Sequence, residues 1–170
     1  MIDPRAPYRR LERLQDRVDF AWQVSGSLLR YIGDEGLWMT RFRPGGPHGL
    51  WIAGHLAFYE AGALKLYTGL ESNPLADWKD RFGNGSECLD DAAAYSDPAG
   101  ILDLLEKGRA AIRKAISAMS DADLDASVPP NERLRIRDVQ SQIEFLIWHD
   151  SHHAAQLGAI VNTYKQGLNG

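Results

Sequence analysis

At 170 residues, 44% hydrophobic and 25% charged, the chain has the composition of one soluble globular domain, 1–170, large enough to bury a core. A net charge of −4 and a pI near 5.7 argue against a nucleic-acid partner, which selects a basic face. The opening MIDPRAPYRRLERL lacks a signal-peptide-like apolar run, nothing reaches the roughly 18–20 apolar residues of a membrane span, and the single cysteine, Cys88, has no internal partner. The expectation is a cytoplasmic protein with no membrane partner.

Residues 8–32 read as the first helix. Leu11, Leu14, Val18, Ala21, Ser25, Leu28 and Ile32 repeat at helical spacing, Arg10, Arg13, Asp16, Arg17 and Asp19 fill the other face, and Gly33 is a stop signal. A loop punctuated by Pro44-Gly45-Gly46-Pro47 leads into a second helix, which starts between Pro47 and Leu50 and ends near Thr68, before Gly69. Its two apolar rows, Trp51-His55-Phe58-Gly62 and Ile52-Leu56-Tyr59-Ala63-Leu66, predict a helix covered by neighbours. Gly54 and Gly62 within it predict close approach of another backbone.

Residues 70–97 hold no sustained period, and Trp78 and Phe82 there predict a packed lid rather than a disordered linker. Asp97-Pro98 starts a third helix, with Ile101, Leu105, Gly108, Ile112, Ala115, Ile116 and Met119 in its stripe. A connector from Ser120 through Pro129-Pro130 leads to a fourth helix, from Arg137 or Asp138 to about Lys165. No strand pattern of any length is visible. Four long amphipathic helices make an all-α four-helix bundle.

Three of the five histidines fall in one stretch of the last helix. Its apolar stripe reads Val139, Ile143, Leu146, His149, His153, Leu157, Ile160, Tyr164, so His149 and His153 share the buried face and can grip one ion. His55 can add a third nitrogen from the second helix, and three neutral imidazoles leave positions open for water or substrate. Zinc or nickel suits such ligands, and iron or cobalt is also compatible. The competing reading is a hydrogen-bonded polar core. His152 lies on the neighbouring stripe with Phe145, Trp148 and Gln156, where it can meet a substrate or simply pack.

His55 in Gly-Leu-Trp-Ile-Ala-Gly-His-Leu-Ala, with His149-Asp-Ser-His-His153-Ala-Ala-Gln-Leu far downstream, resembles the DinB-like (YfiT-like) metal-binding bundles. The resemblance spans about residues 8–165. It implies an up-down-down-up four-helix bundle with a long crossover between helices two and three, a divalent ion on His55, His149 and His153, usually nickel or zinc, and a homodimer. Asp150 stands where Glu is common in that family, and Ala154-Ala155 where Arg-Gly or Ala-Gly is frequent.

Relatives in that family include transferases that use low-molecular-weight thiols. The leading expectation is therefore a metal-dependent transferase joining such a thiol to a small electrophilic substrate. A second is metal-assisted hydrolysis, because His149-Asp150-Ser151-His152-His153 follows the zinc-protease pattern with Asp for Glu, making Asp150 the candidate base. The competing role for Asp150 is a surface charge or a partner to the ligands. A third is a bundle that binds a metal or ligand without catalysis. Arg41, His48 and His152 are candidate contacts for a thiol cosubstrate. For each there is a plainer role, as a solvated charge, an exposed loop histidine or helix packing. Trp51, Phe58 and Tyr59 read as core rather than a substrate cage, and Gln156 as an orienting or gap-filling residue.

Overall fold

In the computed structural model residues 9–168 are described, Leu168 by its backbone alone. Four long helices dominate: α1 (Arg10–Asp34), α2 (Gly49–Thr68), α4 (Pro98–Ser117) and α5 (Val139–Leu168), with a one-turn α3 (Lys79–Phe82) between the second and third of them. The fold is all-α in its mass. α1 lies along α5, α2 lies along α4, and α2 also meets α5.

The ends of these helices follow local chemistry. Asp97 accepts the Gly100 N–H with Pro98 in the first turn of α4, and Gly69 closes α2 in the left-handed region at φ 70°. At the start of α5 Asp138 accepts the Ser141 N–H at 2.7 Å. Helix α1 runs past Gly33, because its backbone there is ordinary helix and the left-handed turn falls at Gly36, φ 67°.

Two apolar clusters fill the space between the helices. One gathers Leu29, Ile32, Ile52, Leu56, Phe82, Ile101, Leu105, Leu157 and Ile160; the other gathers Leu14, Val18, Trp22, Ile112, Ile116, Leu124, Ile143 and Leu146. Between them, on every long helix, the buried face turns polar: Ser25, Glu60, Arg109, and the run His149-Asp150 with His153.

Several expectations need correction. A two-stranded antiparallel hairpin, β1 (Ser127–Asn131) and β2 (Ile136–Asp138), precedes α5, where no strand was expected. Pro129 and Pro130 hide it, since neither can donate to a ladder; they are tolerated because a two-stranded sheet leaves each strand a free edge. In α1 the buried residue is Leu29, with Leu28 half-covered, and in α4 the buried residue is Arg109 rather than Gly108. Gly54 does make a close approach, but to a side chain: a Cβ there would lie 2.1 Å from the Phe82 ring. Gly62 makes none; its nearest outside atom would be Asn73 Nδ2 at 3.4 Å. The 70–97 segment packs through Phe82, which is fully buried, and carries short helical turns at 76–78 and 92–94.

Candidate metal centre

His55 sits in the second turn of α2, and His149 and His153 sit one turn apart on α5. All three are buried, and one ring nitrogen of each lies within 4.8 Å of the others, so the set can hold one metal ion. Helical spacing aligns the α5 pair, and the α2–α5 contact brings the third.

The outward nitrogens of His55 and His153 are occupied. His55 Nδ1 donates to the Phe82 carbonyl at 2.7 Å, and His153 Nδ1 donates to Gln156 Oε1 at 2.8 Å. A carbonyl only accepts, so His55 carries its proton on Nδ1 and turns a bare Nε2 inward. That Nε2 stands 3.1 Å from His149 Nε2, a spacing that two lone pairs do not tolerate without a proton or a cation. Burial pushes His55 down to about 4 and His149 and His153 to about 3, so all three imidazoles are neutral near pH 7. Neutral rings with convergent inner nitrogens, two of them with the outer proton fixed, make a donor set that suits a divalent ion.

Aromatic rings hold these imidazoles. Trp51 stacks on His55 at 4.5 Å, and Tyr59 touches both His55 and His149, at 4.6 and 5.0 Å. The 82–86 turn is tied to the same face of α2: Trp51 Nε1 donates to Ser86 Oγ, and the Asn84 N–H donates to the Tyr59 hydroxyl. Trp51 and Tyr59, expected as core in preference to a substrate cage, therefore also frame the histidines. Beside Tyr59 a cavity of about 490 Å³ opens, bounded by Phe58, Lys79, Asn84, Gly85 and Ser86.

Asp150 is fully buried but stands outside the group that can hold the ion. Its Oδ2 accepts from Arg109 Nη2 at 2.5 Å and from Ser25 Oγ at 3.1 Å. Arg109 also grips both oxygens of Glu60, at 3.0–3.1 Å. Burial raises the Glu60 carboxyl to about 7 and the Asp150 carboxyl to about 6, against the pull of Arg109. Burial alone would lower the Arg109 pKa; the two carboxylates more than offset this and raise it. Sequence reading missed Glu60 and Arg109. The signal was present, because Arg109 falls four after Leu105 and three before Ile112, inside the apolar stripe.

The remaining candidates scatter. His48, expected in an exposed loop, is fully buried: it caps α2 by accepting the Trp51 N–H at 3.1 Å, and its Nε2 donates to the Leu89 carbonyl at 2.9 Å. Arg41 donates to the carbonyls of Gly46 and Cys88 and to Asp90, so its guanidinium joins two loops. Cys88 is half-buried. His152 is exposed, stacks on Trp148 at 5.5 Å and faces Gln156 Nε2 at 3.3 Å.

Among the described residues no helix is long and apolar enough to cross a membrane. A search of curated proteins finds no match. A family model does match, over residues 11–157, which include all three buried histidines and the network around Arg109. On that match the chain belongs to the DinB superfamily.

Proposed function

We propose that this protein is a metal-dependent transferase that conjugates a low-molecular-weight thiol to a small electrophile, with one divalent ion, nickel or zinc, on His55, His149 and His153. The observation that carries the metal reading is the convergence of three neutral, buried imidazoles whose outer nitrogens at His55 and His153 already have acceptors. An ion bound there supplies a field that favours thiolate over thiol. The chain's own part is positioning. Phe82 and Gln156 fix two rings, Tyr59 and Trp51 exclude water from one side, and the cavity beside Tyr59 offers room for a substrate.

The hydrolase alternative draws less support, since Asp150 is committed to Arg109 and Ser25 and is not in the metal-holding group. The up-down-down-up order draws support from the core. α1 and α5 meet the Leu14–Leu146 cluster first and the Leu29–Leu157 cluster second, whereas α2 and α4 meet them in the reverse order. A homodimer accords with exposed Phe20 and Val24 beside Ala154 and Ala155, and sedimentation would test it.

Metal analysis of tag-free protein tests the site. About one equivalent of nickel or zinc is expected, lost in both His55→Ala and His153→Ala while helicity is kept. Wild type that takes no metal even on reconstitution would refute the site. A panel of thiols with monochlorobimane or an epoxide then tests the chemistry. Metal binding without conjugation would leave a non-catalytic bundle.

A further inference from the structure

The stripe of α5 next to His149 and His153 carries an exposed aromatic. Trp148 is 56% exposed, among the large apolar residues that the fold leaves open. A single exposed apolar residue needs no explanation. This one is linked through Phe145 and His152 to His149 and His153. Phe145 lies 5.6 Å from Trp148 and 5.7 Å from His149, while His152 lies 5.5 Å from Trp148 and 5.1 Å from His153. His149 and His153 close the circuit at 4.7 Å. Five side chains, all from one helix, thus make a continuous shelf from the candidate metal to solvent.

None of the five bears a carboxylate, an ammonium or a guanidinium. Such a shelf offers faces and edges of rings, which bind flat conjugated groups. Helix geometry explains the continuity: 145, 148, 149, 152 and 153 are spaced by three and four, so their side chains stand side by side.

Resting on the metal reading above, we infer that Trp148, with Phe145 and His152, is the substrate-binding shelf of the metal centre and selects a planar aromatic or conjugated group. Trp148 is a specificity-determining residue here. It binds the far end of a molecule whose other end reaches the metal.

Hydroxamates separate the two parts, since the headgroup chelates the ion and the tail is free to vary. Zinc-loaded protein is titrated by calorimetry with acetohydroxamate and with 3-phenylpropanohydroxamate. The phenyl compound should bind about 3- to 10-fold more tightly, the gain from one added ring pair. Trp148→Ala should abolish that ratio while leaving zinc content and acetohydroxamate affinity unchanged, which also shows that the variant is folded. Trp148→Phe should retain the ratio, and Phe20→Ala, an exposed aromatic elsewhere, should not alter it. Equal affinities in the wild type, as when a second copy covers Trp148, or an undiminished ratio in Trp148→Ala, would overturn the shelf but leave the metal site. Zinc-loaded protein that binds neither hydroxamate would overturn the shelf but leave the metal site, and protein that takes up no zinc would overturn both.

Discussion

His55 uses its two nitrogens for different purposes: Nδ1 is anchored on the Phe82 carbonyl, and Nε2 faces the α5 histidines. The anchor depends on Gly54, one residue earlier. A methyl there would drive into the Phe82 ring, so Gly54→Ala should cost about 1–3 kcal/mol in urea unfolding through overpacking and weaken metal uptake by moving the carbonyl. Wild-type stability and affinity in that variant would break the link. Gln156 does for His153 what Phe82 does for His55. Gln156→Ala should lower zinc affinity about 10- to 100-fold, measured by chelator competition, with all three ligands in place. The Phe82 carbonyl escapes a reading based on residue type because it belongs to the backbone, whereas Gln156 was legible as an orienting or gap-filling residue.

At the scale of elements, the buried network joins all four long helices: Ser25 from α1, Glu60 from α2, Arg109 from α4 and Asp150 from α5. Arg109→Ala would strand two carboxyl groups in the core and should cost about 3–5 kcal/mol. Arg109→Lys should recover only part of this, because an ammonium cannot reproduce the forked contacts to Glu60. Chemical denaturation reads both, and a loss under about 1 kcal/mol for the alanine variant would contradict the network's role, as surface pairs give no more. The helices themselves were legible from apolar spacing, the Asp97-Pro98 start and the Gly69 stop. The network was not, because spacing marks a position as buried but does not say which charges meet there.

For the whole molecule, two groups of buried titratable residues oppose each other. In the metal-free protein the three imidazoles titrate at about 3 to 4, below the ordinary 6.5. The unfolded chain therefore binds more protons below pH 6.5, and stability falls as the pH drops from there towards 3. Glu60 and Asp150 work in the other direction. Their folded values, about 7 and about 6, exceed the ordinary 4.5 and 3.8, so the stability they contribute in acid is lost as pH rises through those folded values. Relative to Glu60→Gln, the wild type should thus lose stability between pH 4.5 and 7, the ordinary and folded values of Glu60. Urea titrations at several pH values give that difference, and a flat one would rule out a raised Glu60.

The sequence by itself determined the helical class, the positions of the long helices to within a few residues, the pairing of His149 with His153 on one face and, through motif resemblance, the family. Each is a local or periodic property: helical repeat, capping chemistry, or spacing along a single element. Tertiary structure alone decided the rest. It brought His55 from α2 to the α5 pair, turned Asp150 towards Arg109, buried His48 as a cap, and let two prolines sit in a hairpin. Those outcomes depend on which elements pack together and on where a buried polar group finds its partner, and a helical period carries no information about either.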